Sequence, residues 1–183
     1  MDTETLAATR VGQVVVRGLG AAMESRVRYR FFPPDKILQG ADILPGQTVL
    51  EIGCGTGFYT IPGAPLVGDG GEWIAMDVVP EAVDLVAGKV QAAGLTNVRV
   101  VKGDARATGL DDAGVDTVVL FGVIPAPMLP LDRLLPELHR VLKPGGTLAV
   151  WPPVPVYLPE SVLASGLFAW SSRRNAVYNF SRR

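Results

Sequence analysis

Residues 48–60 read Thr48-Val49-Leu50-Glu51-Ile52-Gly53-Cys54-Gly55-Thr56-Gly57-Phe58-Tyr59-Thr60, and the reading of this stretch decides the fold. An apolar run carries one acid, passes into glycine at alternate positions, and leaves through two aromatic residues. The run reads as a buried strand, the glycines as a tight turn, and the residues from Phe58 onward as the start of a helix. A turn that presses its backbone N–H groups against a ligand has no room for Cβ atoms and needs positive φ, which glycine adopts at little cost. The helix behind it offers free N–H groups and the positive end of its dipole, so the turn suits a carboxylate, a phosphate or a ribose. Pro62, Gly63 and Pro65 are expected to shorten or kink that helix and weaken the dipole's part.

Dinucleotide folds ask for G-x-G-x-x-G, whose last glycine lets helix and strand approach closely. Here the pattern is G-x-G-x-G and Phe58 stands in the last glycine's place. That speaks against a nicotinamide-dependent oxidoreductase, which stays as an alternative. A phosphate loop fails too, because no Gly-Lys-Ser/Thr follows.

Working outward, strand and helix patterns alternate. Trp73 to Met76 reads as a second strand ending at Asp77. Pro80 suits a first helical position, Ala82, Val83, Val86 and Val90 mark a buried helical face, and Gly94 closes it. Val98 to Val101 is a third strand before Gly103-Asp104-Ala105, and the continuously apolar Thr117 to Phe121 a fourth, buried on both sides. Leu131, Leu134, Leu135, Leu138 and Leu142 stripe a further helix, Gly145-Gly146 end it, and Thr147 to Trp151 is the fifth strand. A short helical stretch from Pro159 to Gly166 precedes two strands, Leu167 to Ser172 and Ala176 to Phe180, joined by Arg173-Arg174-Asn175. The expected fold class is α/β: a single Rossmann-like domain with a mostly parallel seven-stranded sheet, an antiparallel C-terminal edge, and helices on both faces.

The chain's 183 residues fit one such domain. With 48% hydrophobic residues, disorder is excluded as a description of the chain. A net charge of −1 argues against a nucleic-acid partner. No apolar run approaches the ~20 residues of a membrane span, and Val11 to Met23 makes a poor secretory signal, cut by Arg17 and three glycines. A cytoplasmic protein is therefore expected. Cys54 is the sole cysteine, which removes disulfides and cysteine-based metal clusters from consideration and favours a packed thiol over a nucleophile. No metal site is expected.

From Val11, apolar residues recur with helical spacing through Val14, Val15, Leu19 and Ala22, with Arg17 among them. Residues 1–40 are expected to form an N-terminal helical cap and residues 41–183 the ligand-binding domain. Peripheral membrane contact through the basic N-terminal segment is the alternative use of that segment.

In an open parallel sheet, ligands bind beyond the carboxyl ends of the strands. The acids expected there are Glu51, Asp77, placed to accept both hydroxyls of a ribose, and Asp104, placed to accept from an exocyclic adenine amine beside the small Ala105. Together with the glycine turn they select a nucleoside ligand.

The acid two positions before Gly53, the G-x-G-x-G turn, Asp77, Asp104-Ala105 and Leu142-Lys143-Pro144-Gly145-Gly146 together resemble the class I S-adenosylmethionine-dependent methyltransferases, over about residues 46–151. The order and spacing are similar to the ubiquinone and menaquinone methyltransferase branch. The resemblance implies S-adenosyl-L-methionine as cofactor, bound by Glu51, Gly53, Cys54, Gly55, Gly57, Asp77, Val78, Asp104, Ala105 and Phe121. Within that set the glycine turn takes the methionine portion, Asp77 the ribose and Asp104 the adenine. It implies that Lys143 is solvated and that Gly145-Gly146 shape a turn. No base is assigned, so the catalytic residues stay unknown: His139, the sole histidine, lies inside the leucine-striped helix away from the strand ends. Methyl transfer is then expected to rest on positioning.

The segments 121–130 and 151–159 are dense in proline, nearly uncharged, and carry Phe, Met, Trp and Tyr. They either line a pocket for a small apolar acceptor or pack on each other or on a second subunit. A protein that keeps the cofactor pocket without catalysis is the remaining alternative.

Overall fold

A computed structural model describes residues 26–123, 130–152 and 160–183, with side chains from Tyr29 onward. The proposed helix from Val11, and most of the two proline-dense segments, lie outside the described residues. Two short helices open the described chain, α1 (Arg26–Phe31) and α2 (Pro34–Gln39). Pro34 sits at the first turn of α2, where its missing N–H costs nothing, and Pro33 before it is held extended.

The alternating pattern then unfolds as β1 (Thr48–Ile52), α3 (Thr60–Val67), β2 (Glu72–Asp77), α4 (Pro80–Ala92), β3 (Val98–Lys102), β4 (Val115–Phe121), α5 (Leu131–Val141) and β5 (Leu142–Trp151). It closes with α6 (Glu160–Leu163), β6 (Phe168–Arg174) and β7 (Val177–Arg182). The seven strands lie in the order β3-β2-β1-β4-β5-β7-β6. Pairing is parallel from β3 through β5 and antiparallel on both sides of β7, so the reversed strand is one in from the edge.

Side-chain alternation along each strand builds two cores, one per face. Leu50, Ile52, Val118, Leu120, Leu148 and Val150 meet Leu134, Leu135 and Leu138 of α5. Val49, Trp73, Ala75, Val119 and Ala149 meet α2, α3 and α4 on the other face through Leu38, Ala64, Val67 and Val86. Glu51 shares its register row with Ala75 and Val119, so it points to the α3 face and is buried there.

Three details differ from the expected pattern. The β6–β7 connection is the two-residue turn Asn175-Ala176, with φ of 46° and 63°, and not Arg173-Arg174-Asn175. Two positive φ values at the centre of a two-residue hairpin are those of a turn whose twist matches its strands. Strand β5 begins at Leu142, paired with Val115, before a break in register leads to Thr147 opposite Thr117. Lys143 within that break is not simply solvated: its Nζ donates to Asp116 Oδ1 at 2.8 Å, while Asp116 Oδ2 accepts from the Thr48 N–H.

The strand order reverses between β1 and β4. Their carboxyl ends, Gly53 and Gly122-Val123, therefore flank the crevice that this architecture opens to ligands.

Candidate functional site

Gly53, Gly55 and Gly57 all take positive φ, at 74°, 54° and 80°. The Met76 carbonyl at the end of β2 accepts from the N–H groups of both Gly53 and Cys54, at 2.8 and 3.1 Å, and pins the turn to the sheet. A Cβ on Gly53 would stand 2.8 Å from Val123 Cγ2, so the turn and the chain leaving β4 touch at that point. Lys89 of α4 donates to the Thr56 carbonyl at 2.9 Å and braces the turn from the other side. Thr56 Oγ1 is buried with no hydrogen-bond partner among the described residues.

The expected helix after the turn begins at Thr60, behind a run of turn from Gly55. Pro62 falls in its first turn, where an N–H has little to bond, and Pro65 lies inside it. At eight residues the helix is short, as its prolines require.

Asp77 is half-buried at the end of β2. Its Oδ2 accepts from the Gly55 N–H at 2.9 Å and its Oδ1 from the Val79 N–H at 3.0 Å. Each oxygen keeps a further lone pair for an incoming hydroxyl. Val78, between these contacts, is half-buried. Glu51 lies beneath the turn at 2% exposure, its Oε2 accepting from Thr60 Oγ1 at 2.6 Å and Trp73 Nε1 at 2.8 Å. Burial pushes its carboxyl up to about 7, the two hydrogen bonds oppose the rise, and the nearby Asp77 charge adds to it.

Asp104 folds back on Arg106, which holds both carboxylate oxygens through Nε and Nη2 at 2.6–3.0 Å. The Arg106 hydrogen bonds hold this carboxyl below its ordinary range. Ala105 is buried and packs in the core on the α5 face. Cys54 is buried in the turn, and burial first, then the charges of Glu51 and Asp77, push its thiol well up. A thiol so placed is packing and not a nucleophile. His139 lies in the last turn of α5, at the opposite end of the sheet from the crevice, with Nε2 3.0 Å from the Arg183 carbonyl.

Sequence reasoning missed an aromatic wall. Phe121 at the end of β4 meets Tyr59 with ring centroids 5.0 Å apart, Tyr59 meets Phe58 at 5.0 Å, and Phe58 meets Tyr29 of α1 at 4.7 Å. Trp151 at the end of β5 meets Tyr59 at 6.4 Å and Phe32 at 5.5 Å. Tyr29 and Phe32 remain 48% exposed. The aromatic content of residues 29–32 was visible, but no periodicity in that short segment ties it to strand ends more than a hundred residues away. Trp73 and Thr60, the donors to Glu51, were likewise read only as a strand residue and a helix start.

Among the described residues no group of three or more His, Cys, Asp or Glu is placed to hold a metal ion, and no helix is long and apolar enough to cross a membrane.

A family model described as a methyltransferase domain matches residues 49–146. The demethylmenaquinone methyltransferase of Shouchella clausii is 34% identical over 121 residues, 63% of this chain and 51% of that protein. The protein-L-isoaspartate O-methyltransferase of Methanococcoides burtonii is 33% identical over 105 residues, 57% of this chain and 52% of that protein. The chain thus spans about half the length of these curated relatives. A crystal structure of a SAM-dependent methyltransferase from Aquifex aeolicus superposes with a TM-score of 0.76 at 27% identity, covering 90% of this chain and 96% of that one. These similarities favour neither a nicotinamide-dependent enzyme nor a catalytically silent binding protein.

Proposed function

We propose that this chain, which belongs to the class I S-adenosylmethionine-dependent methyltransferase family, transfers a methyl group to a small, apolar acceptor held at the carboxyl ends of β1, β4 and β5. The observation that carries the reading is the positive-φ glycine turn at the switch point, with the Asp77 carboxylate already seated on the Gly55 N–H. The cofactor, S-adenosylmethionine, supplies an electrophilic methyl group on a sulfonium centre.

The residues present fit that cofactor. Three positive-φ glycines leave the turn without side-chain cover, so that a ligand can approach its backbone closely, and the buried Thr56 hydroxyl still lacks a partner among the described residues. In this reading the turn from Gly53 to Gly57 takes the methionine portion with Cys54 packed inside it, and Asp77 with Val78 takes the ribose hydroxyls. Asp104 takes the adenine amine in exchange for one of the hydrogen bonds that Arg106 now makes to it, with Ala105 and Phe121 beside it. Glu51 supports the turn from below.

The half-exposed rings of Tyr29 and Phe32, backed by the buried rings of Phe58, Tyr59, Phe121 and Trp151, support an apolar acceptor, because such a surface rewards loss of water from a nonpolar ligand. The packed Cys54 thiol and the distant His139 supply no nucleophile or base. The chain's contribution is then to hold acceptor and methyl donor in line, a form of catalysis that can lower a barrier by several kcal/mol.

The test is direct. S-adenosylmethionine and its demethylated product should each raise the melting temperature by mass action, and incubation with a panel of apolar phenols, quinols and amines should release the demethylated product. No thermal shift with either nucleoside would reject the reading.

A further inference from the structure

We infer that Glu51 makes the chain discriminate between the cationic methyl donor and its neutral demethylated product, by giving up a proton to solvent when the donor binds. The inference rests on the proposed function and deepens it. Glu51 is the penultimate residue of β1, two positions before Gly53, and is almost wholly buried. Its two donors are neutral, the Thr60 hydroxyl from α3 and the Trp73 indole from β2.

Among the described residues, the charged and titratable groups around it leave its charge unanswered. Helix α3 has no ionisable side chain. The residues in register with Glu51 are Ala75 on β2 and Val119 on β4. At the end of β2 stands Asp77, itself an acid, and in the turn stands the Cys54 thiol. Asp116 lies at the far end of β4, bound to Thr48 and Lys143. Lys89 reaches the turn from α4 but spends a hydrogen bond on the Thr56 carbonyl. A carboxylate taken out of water without a cation prefers to keep its proton, which agrees with a carboxyl raised to about 7.

The fields of Glu51 and Asp77 converge on the turn, since both charges act on the Cys54 thiol. A cation seated on that turn therefore favours the ionised form of Glu51: the carboxyl O–H bond breaks, the proton passes to solvent, and no electron changes hands. Once the methyl group has left, the sulfonium is a neutral thioether, the favourable charge is gone, and Glu51 takes a proton back. One side chain thus strengthens binding of the donor and gives the product no such gain.

Calorimetric titration at pH 7 in two buffers of different ionisation enthalpy counts the protons. If the donor lowers the Glu51 pKa by about one unit, the wild-type protein releases about 0.4 proton with S-adenosylmethionine and close to none with the demethylated product. The ratio of the two affinities then rises about fivefold from pH 6 to pH 8. In Glu51→Gln both effects disappear, while any contribution from the ligands' own amino groups, common to both proteins, stays. Equal proton counts for the two nucleosides, or a donor-specific release that survives in Glu51→Gln, would overturn the inference. Should that variant fail to fold, Thr60→Val takes its place: loss of a hydrogen bond that favours the ionised carboxylate moves the donor-specific proton release to higher pH, and an unmoved profile would overturn the inference. Binding of neither nucleoside would instead reject the proposed function itself, an outcome distinct from binding without proton release.

Discussion

Asp77 is held ready before any ligand arrives, because two backbone N–H groups fix its carboxylate between the glycine turn and the start of α4. Removing it loses charge-assisted hydrogen bonds worth about 1.5–3 kcal/mol each. Asp77→Ala is accordingly expected to weaken S-adenosylmethionine by roughly 10–100-fold in calorimetric titration. Glu51 carries a prediction about stability as well as binding. Its carboxyl titrates near 7 when folded against an ordinary value of 4.5, so the folded protein holds that proton more tightly. The stability this contributes is fully present below about 4.5 and is lost as pH rises through about 7, a change on the order of 3 kcal/mol. Urea midpoints at pH 5 and pH 8 should fall more steeply with pH for the wild type than for Glu51→Gln. Glu137, drawn down to about 2 first by its Arg140 hydrogen bonds, acts in the opposite sense and only in acid, and the comparison of variants cancels it. Both Glu51 and Asp77 were legible in the sequence because glycine spacing fixes where the strand ends fall. The partners of Glu51 and Asp104 were not, since Trp73 reaches Glu51 from a neighbouring strand and the Arg106 grip on Asp104 is a matter of side-chain rotamer.

The prolines of α3 suggested a disturbed element, yet its sharpest constraint comes from Gly63. A Cβ there would stand 2.4–2.8 Å from three atoms of the fully buried Trp73 ring. The glycine is thus the space into which the indole fits while its N–H reaches Glu51. Gly63→Ala gains ~1 kcal/mol of helix propensity and meets an overpacking cost of ~1–3 kcal/mol. Net destabilisation in urea unfolding is the expected result. The β6–β7 hairpin offers the converse case. Ala176 is exposed at φ 63°, a conformation that costs an L-residue ~1–2 kcal/mol. Ala176→Gly should raise the unfolding free energy by ~0.5–1 kcal/mol, read as a higher urea midpoint, after the extra chain entropy glycine gives the unfolded state. The sequence places this turn at 173–175 instead of 175–176 because Asn-Ala lacks the Asn-Gly signal that normally marks such a hairpin. Neighbouring contacts hold it: Asn175 Nδ2 donates to the Lys36 carbonyl at 2.7 Å, Arg174 pairs with Asp42, and the Arg174 carbonyl would lie 2.5 Å from a Cβ on Gly40. Those contacts join segments more than 130 residues apart, which no local pattern reveals.

Across the whole molecule, the strand order separates two kinds of polar residue. The carboxyl ends of β1, β2 and β4 carry the turn, Asp77 and the aromatic wall, where groups keep unused bonding capacity. The opposite end carries residues that satisfy one another: Lys143 on Asp116 and Asp116 on Thr48, then Arg140 on Glu137 and Asp112, with Thr108 donating twice to Glu137. The parallel sheet and its helices were readable from alternating apolar runs, since burial on both faces leaves strands uniformly hydrophobic. The division between the ends depends on which residues meet across strands, and register supplies that only in three dimensions. The separation predicts that the two ends respond independently. Lys143→Met removes a partly exposed ion pair worth about 0–1 kcal/mol, so it should lower the melting temperature slightly and leave the affinity for S-adenosylmethionine within about twofold. Hydrogen exchange should show the same boundary. Cofactor binding slows exchange at residues 53–57 and 77–79, while residues 142–147 exchange as in the free protein. Protection spreading equally to 142–147 would mean that the sheet transmits the binding event from one end to the other, and the two sets of residues would then have to be treated as one coupled unit.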